Sequence, residues 1–268
     1  MNTSIFQTWC TPVSLETCAD LVKIRDPDRY RAAMAAPAET QSALFALYAF
    51  NTEVFHAVWA TNEPGLAEIR LQYWHDQIDA LYRGTPTDPH PVLDALRGED
   101  RLKWVAKEDF HRLITARRWD AYTAPFEDET ALRAYLMATG GTVMAMASRI
   151  LGMRDDYDPA IRNFGYAAGL AAFLQAVPKL KAHGRQPLPD ESDAALRNLA
   201  ADAVAKMDAT KKHRLMAVAN PAMLAASEAR PVLKMVIATP SKVRTGDLNR
   251  APIQQKWRAM WLQILDRW

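Results

Sequence analysis

The run Leu44-Phe45-Ala46-Leu47-Tyr48-Ala49-Phe50-Asn51-Thr52-Glu53-Val54-Phe55-His56-Ala57-Val58-Trp59 contains neither glycine nor proline. Its apolar residues recur at helical spacing, at Leu44, Leu47, Phe55 and Val58, and Tyr48 and Trp59 widen the stripe. Pro37 or Thr40 marks the start, and Pro64-Gly65 lies beyond the end. A helix this nearly apolar all round is expected at the centre of a core.

The same periodicity runs along the chain. Ser14-Leu15-Glu16-Thr17 opens a first helix with Ser14 as its N-cap. Asp26-Pro27-Asp28 breaks it before Arg29 to Ala36. Glu63-Pro64 starts a helix through Leu66, Ile69, Leu71, Trp74, Ile78, Leu81 and Tyr82 that stops at Gly84. Short helices are expected near 91–97 and 101–121, then one helix over 128–152 and one over 159–181 opened by Asp158-Pro159. An alanine-rich helix is expected from Ser192 to Val218. No β-branched alternation is sustained, and there is no solenoid-like repeat or Gly/Ser linker. The expectation is all-α: residues 1–13 as an extension, and 14–268 as one helical domain, monomeric.

A chain of 268 residues can bury a large core. A net charge of +2 gives no electrostatic case for a nucleic-acid partner. With only Cys10 and Cys18, a reducing compartment is expected and a disulfide is not. No run of 18 apolar residues occurs, so no transmembrane segment is expected. Met1 to Pro12 lacks the pattern of a signal peptide and the arginines of a transit peptide. A cytoplasmic location is expected, with at most peripheral contact with the inner membrane.

Four landmarks follow one another in a recognisable order. Leu47-Tyr48-Ala49-Phe50 begins a motif of the form L-Y-A-F-C-R-x-x-D-D-x-x-D. Residues 70–84, RLQYWHDQIDALYRG, are similar to R-L-x-W-W-R-x-x-I-D-x-x-Y-x-G. Ala138-Thr139-Gly140-Gly141-Thr142-Val143 is close to a small-residue stretch A-G-T-V/S-S. Gly169-Leu170-Ala171, followed by Gly184-Arg185-Gln186-Pro187-Leu188-Pro189, is similar to G-x-A-x-Q-L-T-N-I-L-R-D-V-x-E-D…G-R-x-Y-L-P. On these landmarks the chain resembles the squalene/phytoene synthase family over residues 15–265. The resemblance implies an isoprenoid-synthase-type helical bundle around a central cavity.

In active members, the resemblance implies, two prenyl diphosphates condense head to head between two aspartate-rich helices. Aspartates at i and i+4 share a helical face. Mg²⁺ takes oxygen ligands and would bridge those carboxylates to the diphosphate. Here the first pair of positions reads Phe55 and Trp59, and Glu53 is the only acid between Thr40 and Asn62. The second motif reads Phe173, Ala176 and Lys179-Leu180, with no Asp or Glu between Asp158 and Asp190 and with Pro178 inside the helix. Both metal motifs are therefore degenerate, and no catalytic residue, metal ligand or cofactor is expected. This pattern looks like the non-catalytic branch of the family, the respiratory complex I assembly factor 6 group.

Other residues carry chemistry of their own. Phe55 and Trp59 either line a ligand-accessible cavity or, the reading preferred here, plug it as an i, i+4 pair of core aromatics. Glu53, Asp76 and Asp79 are the residual polar candidates. His75, Asp76 and Asp79 form the densest acid/His group, read as surface charges or as partners of Arg70 or Arg83, with a metal as the alternative. Lys179, Lys181, His183 and Arg185 make a basic strip suited to a phosphate or an anionic lipid headgroup, or else a solvated face. Lys211-Lys212-His213-Arg214 is read as a solvated helical face that also adds to an anion-binding surface, and Gly140-Gly141 as a close helix contact, with approach of a ligand to the backbone as the alternative. Trp257, Trp261 and Trp268 with Arg258 and Arg267 suit either a membrane interface or a docked terminal helix.

Three readings stay open. The first is a catalytically inactive assembly factor for respiratory complex I, with complex I subunits or assembly factors as partners. The second is a prenyltransferase with displaced carboxylates that uses Mg²⁺. The third is a module that binds a prenyl or anionic lipid.

Overall fold

The computed structural model describes residues 12–210 and 220–248. Among these residues there are helices and turns and no strand. They fall into two compact units, one made of the chain up to Ala121 with Met146–Gly152, the other of Tyr122–Ala145 and the chain from Met153 onward.

The first unit is built on α3 (Ala38–Trp59). Around it lie α1 (Pro12–Arg25), α2 (Pro27–Met34), α4 (Pro64–Arg83), α5 (Pro91–Gly98) and α6 (Lys107–Ala116). Fourteen of the 22 residues of α3 are buried, including every one from Ala43 to Thr52. That burial is why the helix reads as apolar all round. Pro37 stands at its N-cap and Thr40 Oγ1 donates to the Pro37 carbonyl at 2.7 Å, so both candidate start residues take part. Phe50 meets Trp74 of α4 edge-on at 5.5 Å and Phe110 of α6 at 5.1 Å. Such pairs contribute about 1 kcal/mol each beyond the area they bury.

Punctuation behaves as its chemistry dictates. Asp26 caps α2 by accepting from the Arg29 backbone N–H at 3.1 Å, with Pro27 in the first turn. Pro64 opens α4 and Gly84, at φ 69°, ends it. One start was misplaced: α1 begins at Pro12, so Ser14 lies buried inside the first turn rather than at the cap. Cys18 is buried, and Cys10 lies outside the described residues.

The helix expected over 128–152, which begins in the second unit and whose residues from Met146 onward count with the first, is two helices. These are α7 (Glu129–Leu136) and α8 (Thr142–Ile150), joined by one π-helical turn at Met137–Gly141. The cause is close packing against α9 (Asp158–Ala182). A Cβ on Gly140 would stand 2.6 Å from the Gly165 carbonyl oxygen, and one on Gly165 would stand 2.5 Å from that of Gly140. Glycine on both sides lets the backbones touch, as the Gly140-Gly141 pair suggested, and the wider turn accommodates the approach.

α9 runs through Pro178 to Ala182, so the proline does not end it. The unit is completed by α10 (Asp193–Thr210), a 3-10 turn at Pro221–Ala226, α11 (Ala229–Ala238) and a short helical turn at Lys242–Thr245. The continuation of α10 to Val218, the Lys211–Arg214 cluster and the C-terminal tryptophans lie outside the described residues. Among the described residues no helix is long and apolar enough to cross a membrane.

Candidate functional site

The second half of α3 changes character within two turns. Thr52, buried, turns its hydroxyl back to the Tyr48 carbonyl at 2.9 Å. The Tyr48 ring is buried beneath the Arg29 guanidinium, 5.8 Å away, and burial pushes its hydroxyl pKa well up. Arg29 is held in turn by an ion pair to Asp26. One turn later the surface opens. Phe55 is 42% exposed, which corrects the expectation of a core plug. It stacks on the half-buried Trp59 at 5.8 Å and 29°. The Arg117 guanidinium sits 5.1 Å from the Phe55 ring, and Asp120 pairs with it at 3.2 Å. Glu53 is half-buried and His56 exposed on the same helix.

Phe55 and Trp59 offer no oxygen to a metal, and Arg117 brings a cation to the patch. Arg29 and Arg117 stand close enough for their charges to repel. Mg²⁺ needs hard oxygen ligands and is repelled by standing positive charge. The residues at these α3 positions therefore do not fit the metal that the family pattern implies.

On α9 the corresponding positions are apolar. Phe173 packs edge-on against Phe126 at 6.1 Å and Tyr135 at 6.2 Å. Leu180 is buried and Ala176 half-buried. Pro178 lies against the turn that ends at Gly246, where a Cβ would meet its ring at 3.4 Å. No charged residue stands between Arg162 and Lys179. This donor set does not fit Mg²⁺ either.

The basic strip begins where that run ends, and the fold gives it partners. Lys181 pairs with Glu191, an acid that lies beyond the turn. Arg185 donates to the Tyr122 carbonyl at 2.7 Å, and His183 Nδ1 lies 2.8 Å from the Lys179 carbonyl. Lys179 is exposed. A cleft of about 330 Å³ in the same unit is rimmed by Glu127, Asp128, Glu129 and Asp190, so it does not continue the strip as a cationic pocket.

A polar centre that the sequence did not signal surrounds Arg133 on α7. Its guanidinium reaches Glu129 at 2.6 Å, the Tyr166 hydroxyl at 3.0 Å and Asp202 of α10. Lys206 also holds Asp202, at 2.8 Å. Burial alone would raise the Asp202 pKa, but hydrogen bonds from Lys206 and Arg133 keep it below the usual carboxylate range. The i, i+4 pairs Glu129–Arg133 and Asp202–Lys206 are readable from spacing, whereas the link between them through Arg133 and Asp202 is not.

The acid/His group of α4 is rearranged relative to expectation. Asp76 is a surface charge that accepts from Gln72 at 2.8 Å. Asp79 pairs with α6 rather than with Arg70 or Arg83. Lys107 Nζ donates to Asp79 Oδ1 at 3.0 Å, and His111 Nε2 lies 3.3 Å from the same oxygen. The hydrogen bond from Lys107 holds the Asp79 carboxyl below its usual range. His75 stacks on His111 at 3.9 Å and 15°. Burial, then the His75 neighbour, pushes His111 down. His111 was missed because nothing in the α6 sequence says which face of α4 it will meet.

Known proteins supply the remaining finding. A family model described as squalene/phytoene synthase matches residues 22–256. The protein named NADH dehydrogenase (ubiquinone) complex I, assembly factor 6 homolog, of Drosophila melanogaster is 33% identical over 178 residues, covering 64% of this chain and 52% of that protein. Presqualene diphosphate synthase of Rhodopseudomonas palustris is 28% identical over 166 residues, 60% of this chain and 58% of that enzyme. The chain spans about half the length of its assembly-factor relative. The crystal structure of squalene synthase HpnC from Alicyclobacillus acidocaldarius is similar in fold, with a TM-score of 0.67 at 19% identity, over 89% of this chain and 97% of that one.

Proposed function

This chain belongs to the squalene/phytoene synthase family, and we propose that it is a member without synthase chemistry, acting in the assembly of respiratory complex I. The observation that carries the reading is the donor set. The α9 stretch has no carboxylate between Asp158 and Asp190, and α3 offers Phe55 and Trp59 under Arg117. A diphosphate leaving group needs metal charge to stabilise it, and neither helix supplies ligands for that metal. The identity to a protein named as a complex I assembly factor supports the destination of the retained fold. In this reading Mg²⁺ is not a cofactor, and the partners are complex I subunits or other assembly factors. The same reading puts the protein in the cytoplasm, touching the inner membrane only at its surface.

The test pairs two measurements on the same folded protein. Diphosphate release from farnesyl and geranylgeranyl diphosphates is assayed with and without Mg²⁺, beside an active synthase. Cells lacking the gene are scored for assembled complex I and NADH:ubiquinone oxidoreductase activity. The expected result is no turnover together with loss of complex I. Mg²⁺-dependent turnover with intact complex I would reinstate a prenyltransferase, with Glu53 as the first carboxylate to mutate. No turnover and intact complex I would leave a lipid-binding module.

A further inference from the structure

We propose that His75, Asp79 and His111 form a binding site for a divalent transition-metal ion of the Zn²⁺ class, placed between α4 and α6. The site is unrelated to the degenerate motif positions and does not rest on the assembly role.

His75 and Asp79 lie one turn apart on one face of α4. His111 reaches them from α6. One ligand atom from each lies within 4.8 Å of the others. His75 Nδ1 and His111 Nε2 are both buried and have no hydrogen-bond partner. The 3.3 Å approach of His111 Nε2 to Asp79 Oδ1 is an ion-pair distance without hydrogen-bond geometry. A buried imidazole nitrogen with no hydrogen-bond partner costs free energy; His111 Nε2 stands beside the Asp79 carboxylate, and the charge facing His75 Nδ1 is Asp76 Oδ1 at 3.9 Å, too far to satisfy it.

The donor chemistry selects the ion. Two imidazoles and one carboxylate suit Zn²⁺, Co²⁺ or Ni²⁺ and not Mg²⁺ or Ca²⁺, which prefer oxygen throughout. Ligand atoms on a tetrahedral Zn²⁺ stand roughly 3.3 Å apart, so the shell closes with small side-chain rotations. The backbones beneath are well supported. The Tyr82 hydroxyl donates to the Val105 carbonyl at 2.6 Å, and its ring packs 6.0 Å from Phe110. With three protein ligands and half-buried side chains, a fourth position stays open to water.

Lys107 is the competitor. Its ammonium bonds the carboxylate that the metal needs, and its side chain is 37% exposed and free to swing away. Metal entry therefore exchanges one ion pair for coordination. Removing Lys107 should tighten metal binding, because it frees the Asp79 carboxylate for the ion.

The experiment uses the full chain purified without a polyhistidine tag. Zn²⁺ binding is followed by calorimetry, and Co²⁺ by its visible absorption. The expected result is one ion per chain with the intense Co²⁺ bands of a low-coordinate site. His75→Ala and His111→Ala should each weaken Zn²⁺ binding by about tenfold or more, with folding checked by circular dichroism. Lys107→Ala should strengthen it. If a histidine variant fails to fold, Lys107→Ala decides alone, since it leaves every proposed ligand in place: tighter binding supports the site, and unchanged or weaker binding overturns it. Absence of stoichiometric binding by the folded wild type, or binding that the histidine variants leave untouched, also overturns it.

Discussion

The end of α3 and the middle of α9 carry the positions where the family pattern places metal-binding carboxylates, and they have departed from it by different routes. On α3, Phe55 and Trp59 stack in the open beneath the Arg117 guanidinium. On α9, Phe173 and Ala176 belong to a run without any charge between Arg162 and Lys179, and Leu180 is buried just beyond it. One site sets a guanidinium, itself paired with Asp120, where the metal would need oxygen, whereas the other only fails to hold a cation. Restoring aspartates would therefore meet different obstacles. On α3 a new carboxylate would find Arg117 already waiting. On α9 it would have to be buried where side chains now pack. The difference also separates what each helix is kept for: a charged, partly exposed surface in one unit, and close backbone packing in the other.

The largest effect should come from the packing helix. Gly165→Ala adds a methyl that would stand 2.5 Å from the Gly140 carbonyl and 2.9 Å from the Gly141 Cα. Alanine gains about 1 kcal/mol of helix propensity over glycine. The clash involves backbone on both sides and cannot relax by a side-chain rotation, so overpacking wins. We expect a net loss of about 2–3 kcal/mol, read as a lower urea midpoint with an unchanged slope. Gly65→Ala is the control, since nothing lies within 4 Å of a Cβ there. It should be neutral or slightly stabilising. Equal behaviour of the two variants would remove the case that α9 is retained for backbone contact.

The α3 surface should be more tolerant. Phe55→Ala removes an exposed ring and its contact with Arg117, a loss of about 1 kcal/mol. Phe55→Asp should place a carboxylate beside Arg117, which would neutralise it. Calorimetry is expected to show no Mg²⁺ binding to this variant, and binding would mean that the arginine is not the obstacle.

The same contrast explains how much could be read in advance. The all-α class and the central position of α3 were legible because burial on all sides leaves an unbroken apolar record from Ala43 to Phe50. Gly84 and Pro64 were legible because their backbone chemistry is local. The π-helical turn was not, because Gly140-Gly141 shows only that a close approach is allowed and not that it meets Gly165. Phe55 was misread because helical spacing identifies a stripe but does not say where the stripe emerges from the core. The partners of Lys181 and Asp79, Glu191 and the Lys107–His111 pair, come from turns and helices whose relative placement is a tertiary property. Charge runs are thus the least readable feature of this sequence, since each charge is defined by what the fold sets opposite it.

The smallest effect should appear in the pH dependence of the unit that kept its charges. Burial and His75 lower the folded-state pKa of His111 below its ordinary value of 6.5. Between the folded and unfolded values the unfolded chain binds more protons, so stability rises with pH in that window and the cost of His111 is gone above it. Asp79 and Asp202 act elsewhere, because their depressed pKa values give stability that is present above 3.8 and lost only as pH falls below it. Metal-free protein taken from pH 7 to pH 5 should therefore lose a little stability, less than about 1 kcal/mol. His111→Gln should flatten that slope, whereas Arg133→Gln, in the Asp202 network, should leave it unchanged. A slope that survives in His111→Gln would place the titrating group outside the α4–α6 cluster.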